Sequence, residues 1–244
     1  MTVYPCARLA ILYGIGEQKM EYTFHIYNKL AADGAALALE TLLKSDLQRK
    51  LTPRRFQKTD GAGMRSTQKN SEFNKHFSGD FDAPPVIVCI GSDLAVGDSL
   101  GPITGSMLKY KTQGLRAFIY GTLASPVTAK EIKYLRAFLK ETHKGSQIVA
   151  VDAAVGSEGD VGLLKLSDSP LFPGAGANKR LGSIGDISIM GIVAEKSIAN
   201  FGLLNTTRLN LVYTMSEIIS EAISTVLYGR VKNSVSSLSK RENG

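Results

Sequence analysis

A run of five consecutive apolar residues, Val86–Ile90, constrains the fold more than any other feature of the chain. The run follows a Pro-Pro pair, ends at a glycine, and contains no polar residue that could face solvent. Such a run is typical of a strand covered on both faces, as in a parallel sheet with helices on either side. A second run, Ile148–Val151, has the same character. The sequence therefore predicts an α/β fold in which both runs are inner strands.

The rest of the chain alternates between segments with strand character and segments with helical spacing of apolar residues, which predicts a layered α/β sandwich. One predicted helix has two possible starts, Ser125 before Pro126 or a capping box between Thr128 and Glu131. The predicted strands are Val86–Ile90, Ala117–Tyr120, Ile148–Val151, Val161–Leu166 and Ile187–Val193, and the predicted helices are Tyr22–Ser45, Leu100–Tyr110, Val127–Thr142 and Leu209–Tyr228.

Composition divides the chain into four segments. Residues 1–45 are expected to form an N-terminal extension with one amphipathic helix, and residues 46–82 a basic linker whose few large aliphatic residues predict disorder or weak packing. Residues 83–228 are the predicted α/β domain, and residues 229–244 a basic tail. Two translation starts are open, Met1 and Met20.

The net charge of +7 comes mainly from the predicted linker and tail, because acidic and basic residues nearly balance in the predicted domain. Flexible basic segments are usually solvated, although they can contact nucleic acid weakly through phosphates. No apolar run is long enough to cross a membrane, so no membrane partner is expected. Cys6 and Cys89 are far apart and indicate a reducing, cytoplasmic compartment rather than a disulfide framework.

Two aspartates stand where a ligand site is expected. Asp152 follows the run Ile148–Val151, and Asp98 closes the turn after Val86–Ile90. Ligands of open α/β sheets bind beyond the carboxyl ends of parallel strands, where two adjacent carboxyls could divide acid and base roles or hold a hard cation weakly. The alternative for Asp98 is a cap on the helix that follows, and Asp93 in the same turn competes for any role.

A second glycine-rich segment, Pro173–Lys179, predicts a loop whose backbone can approach a ligand closely. No histidine lies near the two aspartates, Cys89 falls inside a strand, and no zinc-ligand spacing is present. We therefore expect no cofactor and no transition-metal site. The predicted substrate-binding residues are Asp93, Gly174, Gly176, Asn178, Lys179 and Asp186.

The segment Val88–Pro102, VCIGSDLAVGDSLGP, resembles the opening signature of YyaC-type sporulation proteins. The resemblance covers about residues 84–228. The other motifs that carry it, in the order of that family, are Tyr120–Thr122, Val151–Ala153, Pro173–Gly176 with Asn178–Lys179, Gly185–Val193 and Asn205–Leu209.

That family is similar to the germination proteases of spore formers and, more distantly, to hydrogenase maturation proteases. The resemblance implies a three-layer α/β/α fold of the phosphorylase/hydrolase-like type with a mostly parallel sheet. It also implies an acidic site, which falls on Asp98 and Asp152. The activity it implies is that of a peptidase that cleaves a protein or peptide, such as a small spore protein, in the forespore or mother cell.

The chain departs from the pattern of these families in two ways. It has no histidine to complete a nickel site, and it has Thr128 where many YyaC-type proteins are expected to have histidine.

Three functions from different classes follow. The first is a peptidase in which an Asp pair activates water. The second is an inactive member of the family that binds a peptide or a regulatory partner. The third and weakest is a hydrolase that binds nucleosides or phosphate through the glycine-rich loops, although the chain lacks a P-loop Lys-Ser/Thr pair.

Overall fold

A computed structural model describes residues 8–9, 19–51, 83–174, 181–196 and 207–242. The strands are β1 (Arg8–Leu9), β2 (Glu21–His25), β3 (Val86–Cys89), β4 (Phe118–Tyr120), β5 (Ile148–Gly156), β6 (Leu163–Ser167) and β7 (Ile187–Glu195). The α-helices in the described residues are α1 (Ala31–Leu51), α2 (Leu100–Lys111), α3 (Ile132–Thr142) and α4 (Leu209–Glu242).

The strands form one sheet in the order β1-β2-β6-β7-β5-β3-β4. Four neighbours, β4, β3, β5 and β7, are mutually parallel, whereas β6 is antiparallel to β7 and β2 is antiparallel to β6. Strand β2 therefore runs in the direction of the parallel core. The predicted α/β fold with a mostly parallel sheet is confirmed.

Strand β3 lies inside the sheet and is buried at all four positions. Its side chains alternate, with Val86 and Val88 packing into one core cluster and Ile87 and Cys89 into another. The first cluster lies under α3, whereas the second includes residues of α1, α2 and α4. Helices therefore cover both faces, which confirms the three layers, and each fully buried aliphatic side chain contributes about 1.5–3 kcal/mol.

The N-terminal prediction was wrong in its bounds. The predicted helix Tyr22–Ser45 is instead a strand, Glu21–His25, followed by a helix that begins at Ala31 and runs to Leu51. Aromatic and β-branched residues favour the strand, and the chain leaves it through a turn in which Asn28 Oδ1 accepts a hydrogen bond of 2.9 Å from the backbone N–H of Leu30.

This N-terminal segment is part of the domain, contrary to the boundary predicted at residue 83. Strand β2 pairs with β6 over five residues, and Phe24, Leu39 and Leu42 belong to the core cluster that includes α4. Residues 46–51 of the predicted linker are the last turns of α1. The rest of that linker, residues 52–82, lies outside the described residues.

Three other elements are longer or shorter than predicted. Helix α4 continues to Glu242, so the predicted basic tail is helical over most of its length. Strand β5 continues past Val151 to Gly156 because β7 pairs with it over this whole stretch. Helix α3 begins at Ile132 rather than at Val127.

Candidate active site

The two predicted inner strands, β3 and β5, are neighbours and parallel. Cys89 lies opposite Val151, and the backbone N–H of Ile90 donates to the Val151 carbonyl at 2.7 Å. The turn that follows β3 and the residue that follows Val151 therefore meet at the same edge of the sheet, which we call the carboxyl edge. This is where ligands bind in open α/β sheets.

Close backbone packing fixes the turn that carries Asp98. Gly91 has a φ of +141°, and a Cβ atom there would lie 2.0 Å from the Asp98 carbonyl oxygen. Gly101, in the first turn of α2, has no room for a Cβ either, because that atom would lie 2.0 Å from the Ile90 carbonyl oxygen. These two glycines let the turn and the start of α2 lie directly against the end of β3.

The turn is closed by its own hydrogen bonds. The backbone N–H of Ser92 donates to the Asp98 carbonyl at 3.1 Å, and the Asp98 N–H donates to the Ala95 carbonyl at 3.0 Å. Asp98 belongs to a 3₁₀ turn, Gly97–Ser99, and α2 begins after Ser99, which makes no side-chain cap. Asp98 is therefore not the N-cap of α2, which was the alternative to a functional role for this residue.

Asp152 lies inside β5, at the residue where β3 has already ended. Alternate residues of β5 point to opposite faces, so Asp152 shares the α3 side of the sheet with Ala150. Its Oδ1 accepts a hydrogen bond of 2.9 Å from the backbone N–H of Ala153. Both Asp98 and Asp152 are partly buried.

The two carboxyls influence each other. Burial raises the pKa of Asp152 well above its usual value, and the negative charge of Asp98 raises that pKa further. Burial also raises the pKa of Asp98, although hydrogen bonding by Ser92, through its side chain and its backbone, opposes this effect. The charge of Asp98 therefore favours the neutral form of Asp152, which is the direction expected when two carboxyls lie near each other.

Sequence reasoning missed Ser92. Its Oγ accepts a hydrogen bond of 3.2 Å from the backbone N–H of Leu94, so it orders the turn as well as contacting Asp98. A serine directly after the glycine of a strand-to-helix turn is the signal that could have found it, because serine hydroxyls often bond to the backbone two residues on.

The predicted substrate-binding residues do not all come together. Asp93 is exposed in the same turn as Asp98. Asp186 is at the opposite edge, where its N–H donates to the Ile148 carbonyl at 2.7 Å and its Oδ2 lies 2.9 Å from Lys50 Nζ. The prediction for Asp186 was therefore wrong, since it joins the start of β5 to the end of α1.

The glycine-rich loop leaves the sheet at the same opposite edge. Strand β6 is antiparallel to β7, so its last residue, Ser167, pairs with Ser188 near the start of β7. Gly174 follows shortly after, beyond a pairing of Leu171 with Ile184. The structure does not bring Gly174 to the two aspartates. The other predicted loop residues, Gly176, Asn178 and Lys179, lie outside the described residues.

Thr128 lies beside the carboxyl edge. Its neighbour Val127 pairs with Ile90 and accepts a hydrogen bond of 3.0 Å from the Gly91 N–H. The predicted capping box does not start α3, because that helix begins at Ile132 with Glu131 at its N-cap and has no side-chain capping bond. The Thr128 N–H nevertheless donates to Glu131 Oε2 at 2.9 Å, and the Thr128 hydroxyl also bonds to that oxygen. The hydroxyl is therefore engaged with Glu131 in the turn that precedes α3.

Within the described part of the chain, no group of three or more His, Cys, Asp and Glu side chains could hold a metal ion. His143 lies away from the acidic pair, with its Nε2 2.6 Å from the Tyr120 hydroxyl. Burial raises the pKa of the Cys89 thiol to about 12, so this cysteine is a packing residue and not a nucleophile. The helices of the described residues are all too short or too polar to cross a membrane.

Comparison with known proteins supplies three findings. The chain has a likeness in fold to the [NiFe] hydrogenase maturation protease HycI from Thermococcus kodakarensis KOD1, at a TM-score of 0.40 and 20% identity, over 65% of this chain and 99% of that chain. It is 43% identical over 141 residues to the uncharacterized protein YyaC of Bacillus subtilis (strain 168), which covers 58% of this chain and 68% of that protein. This confirms the resemblance to YyaC-type proteins. A family model described as "Protein of unknown function (DUF1256)" matches residues 63–222, and the chain belongs to that family.

Proposed function

We propose that this protein is a peptidase in which Asp98 and Asp152 together activate a water molecule for attack on a peptide bond. The observation that supports the proposal best is their coupling, because the charge on Asp98 contributes to the raised pKa of Asp152. Carboxyls coupled in this way favour holding one proton between them, and one can then act as base while the other acts as acid.

The surroundings favour a division of roles. Ser92 bonds to Asp98 and favours its charged form, so we assign Asp98 as the carboxylate that accepts a proton. Burial and the neighbouring charge both favour the neutral form of Asp152, so we assign Asp152 as the acid. The pair titrates as a unit, and these assignments describe its most stable singly protonated form.

In the proposed reaction, Asp98 takes a proton from water while the water oxygen attacks the carbonyl carbon of the substrate. Asp152 gives its proton to the carbonyl oxygen, which produces a neutral tetrahedral intermediate. Asp98 then returns its proton to the leaving nitrogen as the C–N bond breaks, and a hydroxyl proton of the intermediate returns to Asp152. One water is consumed, and both carboxyls regain their starting states.

The biological setting is proposed from the resemblance of the sequence motifs to sporulation proteins. We propose a protein or peptide substrate, such as a small spore protein, in the cytoplasm of the forespore or mother cell. Weak contacts between nucleic acid and the basic flanks stay a prediction.

The proposal is tested by incubating the purified chain with a protein extract of the spore core and identifying new peptide termini by mass spectrometry. The wild-type chain should release fragments, whereas the Asp98→Asn and Asp152→Asn variants should each release none. Glu141→Gln is the control, because Glu141 is an exposed carboxylate in the last turn of α3 and has no role in the proposed site. Fragments produced by the double Asp98→Asn, Asp152→Asn variant would rule out the acid pair.

A second candidate function is partner binding without catalysis, and it is favoured by Thr128. Its hydroxyl is engaged with Glu131 at a position where the resemblance leads us to expect histidine. If that histidine were needed for catalysis, the cleft would bind a peptide and leave it intact. The same extract separates the two functions, because a binding protein would retain a partner in wild-type and double-variant forms without generating new termini.

A further inference from the structure

Strand β5 continues beyond the end of its neighbour β3. The last bond between the two is the one from the Ile90 N–H to the Val151 carbonyl, yet β5 extends a further five residues, Asp152–Gly156. Over this stretch β7 pairs with one side of β5. Among the described residues no strand pairs with the other side, which we call the open edge.

The backbone groups on the open edge can be assigned from the alternation along β5. The carbonyls of Ile148 and Gly156 accept bonds on the β7 side, from Asp186 and Lys196, whereas the Val151 carbonyl accepts on the β3 side. Odd-numbered residues therefore direct their backbone N–H and C=O groups toward β3. Beyond Val151 these residues are Ala153 and Val155.

Most of these groups lack a partner in the part of the chain that the structure describes. The Ala153 N–H is bonded to Asp152 Oδ1, which brings that carboxyl to the open edge. The carbonyls of Ala153 and Val155 and the N–H of Val155 have no such bond among the described residues. Backbone groups in a partly buried strand strongly favour pairing, so the open edge is a template for another strand.

Two described elements lie next to this edge. The 3₁₀ turn Gly97–Ser99 lies against β5 and places Asp98 beside the start of the open edge. After Gly156 the chain crosses toward β6 over the other side, since the Gly162 N–H donates to the Ile192 carbonyl of β7 at 2.9 Å. The open edge therefore begins at the acidic pair and continues away from it.

Charge restricts what would bind there. The described residues at this end of the sheet include six carboxyl groups and two lysines, Lys165, which is 3.7 Å from Asp160, and Lys196, which follows Glu195. An extended segment with basic or neutral side chains is therefore favoured over an acidic one. The six are Asp93, Asp98, Asp152, Glu158, Asp160 and Glu195.

We propose that the substrate binds as an added β-strand along Asp152–Gly156, with a peptide bond held over Asp98 and Asp152. The preferred substrate is an extended segment of about four to six residues with basic flanks, because a strand of that length spans the open edge at about 3.3 Å per residue. The inference rests on the proposed peptidase function for the fate of the bound segment, and on the sheet alone for the way it binds.

The test uses the full chain with Asp98→Asn and Asp152→Asn, so that no probe is cleaved, and follows backbone amide signals by NMR. The probe is the peptide acetyl-Lys-Val-Thr-Val-Thr-Val-Lys-amide. Two matched probes carry N-methyl groups on alternate residues, one in each register. We expect the Val155 amide to shift and to become protected from exchange, and one methylated probe to bind about tenfold or more weakly than the other because only alternate amides face β5.

A protein variant gives an independent measurement. Val155→Pro removes the exposed N–H and should weaken the unmethylated probe about fivefold, whereas Val155→Ala keeps the N–H and should change its affinity less than twofold. Equal loss with both methylated probes, no shift at Val155 at millimolar peptide, or a Val155 amide already protected in the free chain would each overturn the inference. Cleavage without edge binding would overturn this inference alone, and edge binding without cleavage by the wild-type chain would overturn the proposed function alone.

Discussion

The backbone N–H of Ile90 donates to the carbonyl of Val151 at 2.7 Å, and this is the last bond between two parallel strands that then separate. After this bond the backbone leaves β3 at Gly91 and returns to the same edge of the sheet at Asp98, whereas β5 continues straight to Asp152. The acidic pair therefore lies at a strand separation, where backbone groups and carboxyls face the same space. The activity and the binding mode proposed above both follow from this one relationship.

Activity should depend on pH in a bell shape. Cleavage requires one proton on the pair, so it should fall at low pH as Asp98 becomes protonated and at high pH as Asp152 loses its proton. Because burial and the charge of Asp98 raise the pKa of Asp152, the alkaline limb should lie well above the usual range of an aspartate. Initial rates measured across the pH range would check this. A rate that does not fall above neutral pH would contradict Asp152 as the acid.

The free energy of unfolding should decrease as pH rises, because Asp152 must lose a proton that the folded state binds tightly. An aspartate whose pKa is raised by folding binds its proton more tightly in the native state, so ∂ΔG/∂pH of unfolding is negative between the unfolded and folded pKa values. Asp152→Asn should therefore be more stable than wild type at neutral pH, and the difference should shrink toward pH 4, near the usual pKa of aspartate of about 3.9. Urea unfolding of wild type and Asp152→Asn at several pH values measures the difference.

Part of this site could be predicted from the sequence because its signals are local. The apolar run Val86–Ile90 identified an inner strand, and the rule that ligands bind at carboxyl ends then singled out Asp98 and Asp152. The position of Asp186 depends on the direction of β6, which is set by its pairing with β7 and not by neighbouring residues. Because β6 is antiparallel to β7, the chain reaches the opposite edge of the sheet before Asp186, and no local residue pattern predicts this direction.

Strand β2 was missed for a related reason. Its five residues precede an Ala- and Leu-rich helix, so the helical signal extended over them in the sequence analysis. The partner that makes Phe24 a strand residue is Leu164, which is 140 positions later in the chain. Tertiary pairing decided the conformation, as it commonly does for short strands.

The close approach of α2 to β3 should make Gly101 sensitive to a single added methyl group. A Cβ at Gly101 would lie 2.0 Å from the Ile90 carbonyl oxygen, so Gly101→Ala must displace the helix or the strand. We expect a loss of about 2–3 kcal/mol in the free energy of unfolding. Gly229→Ala is the matched helical control, since nothing lies within 4 Å of its Cβ position, and it should stabilise by about 0.5–1 kcal/mol. Denaturant unfolding measures both, and equal effects would contradict the close packing described here.

Lys50 should hold the N-terminal helix to the sheet more strongly than an ordinary surface lysine. Its Nζ lies 2.9 Å from Asp186 and 3.1 Å from Asp46, which is buried. Burial lowers the pKa of Lys50, but the two aspartates outweigh that effect and leave the pKa raised. Lys50→Met leaves both carboxylates without this partner and should lower the free energy of unfolding by about 1–2 kcal/mol. The loss is smaller than for a fully buried pair because Lys50 is partly exposed.

The control is Lys44→Met, which breaks an exposed pair with Glu40 and should cost less than about 0.5 kcal/mol. Denaturant unfolding compares the two variants, and equal losses would show that α1 is not anchored through Lys50.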